Sequence, residues 1–183
     1  MDKYVALLRG INISGKNKVP MKELKDEFEH LGYKDVTTYL NSGNVIFTSS
    51  IDDKIAMSEN IHKMVKDKFC VNVPVYIIKS GELKELLDNQ PDWWGTDNKK
   101  IYDNIIFIIS PYTYEDVYKT IGEPKEGLEK VVGYKNCIFW SYDLKNYRKT
   151  NWWSKTANTS ISNYITIRTF NTITKILEIS KNK

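Results

Sequence analysis

The chain has few of the residues that carry metal or thiol chemistry. Its 183 residues include only two cysteines, Cys70 and Cys137, and two histidines, His30 and His62. Each cysteine lies in an apolar run far from the other, which predicts two buried free thiols. No Cys/His cluster has zinc spacing, and both histidines fall in helical patterns with no serine or carboxylate arrangement beside them. We therefore predict no metal site, no cofactor and no histidine-based catalysis.

The chain also lacks long apolar runs and a strong charge of either sign. A transmembrane helix would need roughly 18 consecutive apolar residues, and no such run is present. The apolar stretch at residues 4–8 is too short for a signal peptide, so we expect a cytoplasmic protein with no membrane partner. The net charge of +4 is compatible with anionic partners, although a dedicated nucleic-acid-binding protein usually has a denser basic stripe.

The first half of the chain has the pattern of one βαββαβ unit. Apolar runs and turn residues predict strands at residues 4–9, 36–40, 44–48 and 73–78. One helix is expected from Pro20 to a stop at Gly32, and a second from a cap at Asp52 or Asp53. This order is that of the ferredoxin-like plait. Pro74, near the start of the fourth strand, predicts that this strand lies at a sheet edge.

The second half partly repeats that pattern. A strand is expected at residues 104–109, a helix from Thr113 and Asp116 to Gly122, a hairpin at residues 129–142 and a C-terminal helix. We predict an α+β protein built by tandem duplication of ferredoxin-like units, with antiparallel sheets and helices packed on one face. The expected divisions are a first unit at residues 1–80, a helical connector at 81–100 and a second unit at 101–183.

Topology indicates where a binding site would lie. In such a unit the first two strands are parallel and the third runs back between them. The loop after the first strand and the hairpin between the second and third strands therefore share one edge of the sheet. We expect residues 10–18 to lie beside residues 41–44.

The loop at that edge, GINISGKN, nearly matches a phosphate-binding P-loop. Asn17 stands where a P-loop has the Ser or Thr that holds magnesium, and Pro20 delays the helix. These departures count against a true P-loop. A less specific anion site remains, with cationic side chains, loop N–H groups and a helix N-terminus. A solvated loop whose Gly and Asn residues only satisfy turn geometry remains equally open.

The candidate anion-binding residues at this edge are Arg9, Asn12, Lys16, Asn17, Lys18, Asn41, Ser42 and Asn44. A C-terminal basic cluster adds Lys155, Arg168 and Lys175, at the same or a second site. We expect Arg168 just before the final helix, where a cation opposes the helix dipole. Either a carboxylate partner or a bound anion would relieve that conflict.

Several of these segments resemble the bacterial domain of unknown function 1697 family. The resemblance lies in LLRGINISGKNKVPMKEL, in TYLNSGNVIF, in the pair Ser154-Lys155 and in the stretch TIRTFNTITK. Thr169 and Phe170 replace the Asn and Trp of the family pattern, which weakens any ligand role for that pair. The resemblance implies tandem ferredoxin-like units and no established reaction.

Three functional hypotheses follow. The first is a protein that holds a phosphorylated or other anionic small molecule at the shared edge, with enzymatic activity left open. The second is a single-stranded nucleic-acid-binding module that uses Tyr4, Phe47 and Tyr76 as a stacking platform. The third is a protein-interaction module without catalysis. The sequence gives no indication of oligomeric state.

Overall fold

The computed structural model describes residues 1–181, which divide into two compact units. Unit 1 comprises Met1–Glu85 together with the chain from Thr174 onward, and unit 2 comprises Leu86–Ile173. The end of the final helix thus packs with unit 1, where the Ser180 and Ser80 hydroxyls are 2.6 Å apart.

Unit 1 contains a four-stranded antiparallel sheet with strand order β2-β3-β1-β4. Its elements are β1 (Asp2–Leu8), α1 (Met21–His30), β2 (Lys34–Tyr39), β3 (Asn44–Ser49), α2 (Lys54–Phe69) and β4 (Val75–Lys79), and α3 (Ser80–Asp88) follows. This is the predicted βαββαβ arrangement. Strand β4 lies at a sheet edge, as Pro74 indicated.

Unit 2 repeats this topology with strand order β6-β7-β5-β8. Its elements are β5 (Ile101–Ile108), α4 (Tyr114–Ile121), β6 (Glu129–Tyr134), β7 (Cys137–Asp143), α5 (Asn151–Asn158), β8 (Ile165–Thr169) and α6 (Phe170–Lys181). The predicted tandem duplication is confirmed. The sequence analysis did not identify α5, which is short and largely polar, or β8, which contains a buried arginine.

Local sequence explains where the helices begin. Asp53 accepts hydrogen bonds from the Ile55 and Ala56 backbone N–H groups and so caps α2. Thr113 and Asp116 form a complete capping box at the start of α4. Both caps had been predicted from the residue types alone.

The helix-facing side of the first sheet is a closed aromatic core. Tyr4 and Phe47 are fully buried, with ring centroids 5.8 Å apart, and Phe28 from α1 packs edge-on against Phe47. The rings of Tyr4 and Phe47 therefore offer no open face for a base. Of the three residues predicted to form a stacking platform, only Tyr76 is partly exposed.

One cysteine prediction is wrong. Cys137 is buried as expected, but Cys70 is exposed. It ends α2 in a left-handed conformation, with φ of +56°, and its N–H donates to the Lys66 carbonyl. A helix C-terminus normally lies at the surface, so this position overrides the local apolar pattern. Across residues 1–181, no helix combines the length and the apolar character needed to cross a membrane.

Candidate functional site

The loop between β1 and α1 forms a small hairpin of its own. The Asn12 N–H donates to the Asn17 carbonyl at 3.0 Å, and the Lys16 N–H donates to the Ile13 carbonyl at 2.9 Å. Ser14 and Gly15, at the tip, both have positive φ, as a tight two-residue turn requires. Since α1 begins only at Met21, the N-terminus of this helix does not follow the lysine directly as in a P-loop.

The Asn12 side chain fastens this loop to the neighbouring hairpin. Its Nδ2 donates to the Val19 carbonyl and to the Asn41 carbonyl, both at 2.9 Å. Its Oδ1 accepts from the Val19 N–H at 2.8 Å. One side chain thus joins the start of the loop, the end of the loop and the β2–β3 turn.

The β2–β3 turn packs closely against the end of β1. The Leu8 N–H donates to the Gly43 carbonyl at 2.8 Å. A Cβ added to Gly43 would lie 2.8 Å from the Leu8 Cβ and 3.0 Å from the Ile11 Cδ1. Only a glycine fits this close approach, and the φ of +77° at Gly43 also favours glycine. The predicted adjacency of the two segments at one edge of the sheet is confirmed.

Three cationic side chains belong to this edge, which we call the unit 1 rim (residues 9–20 and 40–44). Lys16 and Lys18 are exposed, and in the described part of the chain neither forms an ion pair. Arg9 is half-buried, and burial lowers the pKa of its guanidinium below the usual value. Its backbone N–H donates to the Pro74 carbonyl at 3.0 Å, which fixes the point where β1 ends.

Three of the predicted ligand amides hold the protein's own backbone. Besides Asn12, Asn17 donates through Nδ2 to the Gly10 carbonyl at 2.9 Å. Asn44 is fully buried and donates to the Tyr39 carbonyl at 2.9 Å and to the Ser42 hydroxyl at 3.0 Å. These asparagines shape the rim, and the exposed polar side chains of the turn are those of Asn41 and Ser42.

The N-terminus of α1 adjoins the rim. Its N-cap residue is Pro20, which makes no side-chain capping hydrogen bond. The partial positive charge of the first helical turn therefore receives no N-cap oxygen, unlike that of α2 or α4.

Lys155 has a structural role in unit 2 rather than a place at the unit 1 rim. Its Nζ donates to the Ile121 carbonyl at 2.6 Å, at the C-terminal end of α4. The Trp152 indole N–H donates to the Gly122 carbonyl next to it, at 3.0 Å. A cation and a donor at this end satisfy the free carbonyls of the helix.

Arg168 is buried in β8. Thr169 separates it from the first residue of α6, so Arg168 does not occupy the capping position. Its Nη1 donates to the Thr166 hydroxyl at 2.9 Å and to the Ile167 carbonyl at 2.8 Å. Burial lowers the pKa of the Arg168 guanidinium to about 10. Thr169 caps α6 by accepting from the Thr172 N–H.

Lys175 belongs to the part of α6 that packs with unit 1. It forms an ion pair with Glu178, which accepts at 2.8 Å, and this contact raises the pKa of Lys175. The charge of Lys175 is therefore already matched by a carboxylate.

Among the buried charged residues that the sequence analysis missed is Glu129 in β6. Its carboxylate accepts from the Asn151 and Trp152 N–H groups at the start of α5, and from the Trp140 indole at 3.2 Å. It also accepts from the Lys125 N–H at 2.9 Å. Nothing in the local sequence distinguishes this glutamate from an exposed one, because its partners come from distant segments. The N-terminus of α5 thus carries a buried anion, whereas the acidic residue in the first turn of α1, Glu23, is exposed.

Comparisons with known proteins give a family but no activity. A conserved bacterial protein, SP0830 from Streptococcus pneumoniae, has a structure that matches this chain with a TM-score of 0.85 and 30% identity, covering 98% of both chains. No curated protein matches. The family model described as a protein of unknown function (DUF1697) matches residues 1–139. The chain therefore belongs to the DUF1697 family of bacterial proteins of unknown function.

Proposed function

We propose that the unit 1 rim binds an anionic small molecule, with a phosphate or similar group as the recognised part. The observation that carries this proposal is the Asn12 contact set, which holds the cationic loop against the β2–β3 turn. A site whose backbone is already ordered loses less conformational entropy when a ligand binds.

The charge distribution favours an anion. Arg9, Lys16 and Lys18 occur within ten residues of one another. The two exposed lysines have no carboxylate partner among residues 1–181. The uncapped start of α1 adds a partial positive charge at the same rim. In unit 2, by contrast, Glu129 already neutralises the start of α5.

The direct contacts follow from which side chains are accessible. Lys16 and Lys18 would pair with the anion, and the half-buried Arg9 would support it from the end of β1. The exposed Asn41 and Ser42 would hydrogen-bond to polar groups of the ligand. Asn12, Asn17 and Asn44 then act by positioning the loop and the turn.

Thermal stabilisation by defined anions tests the proposal. We expect inorganic phosphate, pyrophosphate and a sugar phosphate to raise the melting temperature, while the corresponding neutral sugar does not. Lys16→Ala with Lys18→Ala should lower the affinity roughly 10- to 100-fold, since a hydrogen bond to a charged group contributes about 1.5–3 kcal/mol.

The control is Lys66→Ala, which removes an exposed lysine from α2, outside the rim. It should leave the stabilisation unchanged. If phosphate stabilises the double variant as much as the parent, or if every lysine variant loses the same amount, the rim is not the anion site. Arg168→Ala is unsuitable for this test, because its buried guanidinium contributes to the packing of β8.

A further inference from the structure

Unit 2 exposes a group of aromatic rings on one side of its sheet. Tyr102 is 39% exposed and Trp153 is 42% exposed. Between them lies the buried Tyr142, whose ring centroid is 5.5 Å from that of Tyr102 and 5.6 Å from that of Trp153. Tyr147 continues the series, 4.7 Å from Trp153. The rings therefore form one continuous cluster that reaches solvent at both ends.

The fold accounts for this placement. Tyr102 and Tyr142 are directly paired residues of β5 and β7, so their side chains lie on the same face. Trp153 lies in the first turn of α5, where its N–H donates to the Thr150 hydroxyl that caps the helix. The chain just after β7 is held beside the start of β5, since the Leu144 N–H donates to the Lys100 carbonyl at 2.8 Å.

Cations flank these rings. The segment at residues 143–149, DLKNYRK, contains three cations, Lys145, Arg148 and Lys149, against the single carboxylate of Asp143. All three cations are exposed. The Asp143 carboxylate is turned toward its own loop, where Oδ1 accepts from the Asn146 N–H and Nδ2 at 2.8 and 3.0 Å.

Arg148 links the rings to the cations. Its guanidinium lies 5.5 Å from the centroid of the Tyr147 ring, and its Nε donates to the Tyr147 hydroxyl at 2.9 Å. This contact orders a long side chain that would otherwise sample many rotamers, so the charge is held beside the aromatic cluster.

We propose that this aromatic-basic surface (Tyr102, Tyr147, Trp153, Lys145, Arg148 and Lys149) binds single-stranded nucleic acid. Exposed rings accept any base by stacking, and neighbouring cations pair with the phosphates between the bases. The cations alone would suit any polyanion. Solvent-exposed aromatic rings in the same cluster favour a partner that has both flat apolar faces and a negative charge at each step.

The test is fluorescence anisotropy with a labelled 15-nucleotide oligo-dT or oligo-U. Trp153→Ala should weaken binding roughly 10- to 100-fold, while Trp153→Phe, which keeps a stacking ring, should stay within about threefold. Arg148→Ala with Lys149→Ala should weaken binding and reduce the log–log salt slope by roughly 1.4, since each phosphate contact to a single strand contributes about 0.7.

Two controls separate this site from general attraction to a basic protein. The Lys34→Ala, Lys66→Ala variant removes two exposed lysines from unit 1, outside the rim, and should bind the oligonucleotide as the parent does. A duplex of the same length, whose bases are not available for stacking, should bind more weakly than the single strand.

The proposal is overturned by any of four results: no saturable binding at physiological salt, undiminished binding by a folded Trp153→Ala variant, equal affinity for duplex, or competition by polyglutamate as effective as that by unlabelled oligonucleotide. The last result would indicate an acidic protein partner instead. Near-ultraviolet circular dichroism of the Trp153 variants checks that each remains folded.

Discussion

The most direct consequence of the rim geometry is the cost of removing the Asn12 side chain. Asn12→Gly deletes three hydrogen bonds to backbone groups, two to Val19 and one to the Asn41 carbonyl, and a weaker contact from Nδ2 to the Met21 Sδ at 3.9 Å. It leaves the backbone unstrained, because Asn12 has φ of +54° and glycine adopts that conformation readily. Asn17→Gly is the matched control, since Asn17 has φ of +49° and its side chain donates one hydrogen bond, to the Gly10 carbonyl.

The magnitude follows from the difference in hydrogen bonds. Each bond contributes a net 0.5–1.5 kcal/mol, so the two bonds by which the variants differ correspond to about 1–3 kcal/mol. Both variants share the same gain of unfolded-state entropy, about 0.4–1 kcal/mol, which cancels in the comparison. Asn12→Ala should be less stable than Asn12→Gly by roughly 1 kcal/mol, because the cost of alanine at a positive φ, about 1–2 kcal/mol, exceeds the entropy cost of glycine, about 0.4–1 kcal/mol.

Urea unfolding followed by far-ultraviolet circular dichroism gives the free energies of unfolding. Hydrogen exchange at the Val19 amide gives a local measurement, since that N–H donates to the Asn12 Oδ1. We expect its protection to fall in both Asn12 variants and to persist in Asn17→Gly. If Asn12→Gly costs no more than Asn17→Gly and Val19 stays protected, the contact set does not order the rim.

Three further perturbations give contrasting results. In urea unfolding, Gly43→Ala should lower the free energy of unfolding clearly more than Gly10→Ala. Both glycines have a positive φ, which costs alanine about 1–2 kcal/mol, but of the two only Gly43 lacks room for a Cβ. Equal losses of free energy would contradict the close packing at Gly43. Glu129→Gln should lower the free energy of unfolding measured by tryptophan fluorescence by about 2–4 kcal/mol, and a loss under about 1 kcal/mol would show that the buried charge is not needed. The Glu123 carboxylate, which accepts from the Tyr118 hydroxyl, raises the pKa of Tyr118 to about 12 from 10.0. The unfolded chain loses that proton first, so this contribution to stability is complete below pH 10 and is lost as the pH rises to about 12. Ultraviolet titration of Glu123→Gln should show one phenol shifted to lower pH, and an unchanged curve would refute the coupling.

Local sequence was sufficient where the physical cause is itself local. The Thr113–Asp116 capping box was predictable because its two residues satisfy each other's backbone within one turn. The edge position of β4 followed from Pro74, which cannot donate to a neighbouring strand. The adjacency of the β1–α1 loop and the β2–β3 turn followed from strand order, which constrains which ends of the strands share an edge.

The roles of individual polar side chains at the rim could not be predicted in this way. Asn12 and Asn44 have the residue type of ligand contacts, but their amides reach backbone carbonyls that belong to other parts of the unit. An amide serves a ligand or a carbonyl equally well, so its partner is decided by which group the fold brings within hydrogen-bonding distance.

By itself, the sequence determined the α+β class, the duplicated βαββαβ order and the shared edge of the β1–α1 loop and the β2–β3 turn, because periodicity, turn residues and caps act over a few positions. Only the tertiary structure decided that Arg168 is buried in a strand, that Lys155 binds the end of α4 and that Glu129 lies at the start of α5. The physical reason is that a charged side chain is stabilised or destabilised by the groups around it. For Lys155 and Glu129 these groups include distant backbone atoms, the Ile121 carbonyl for Lys155 and the Trp152 N–H for Glu129, which only the fold brings close.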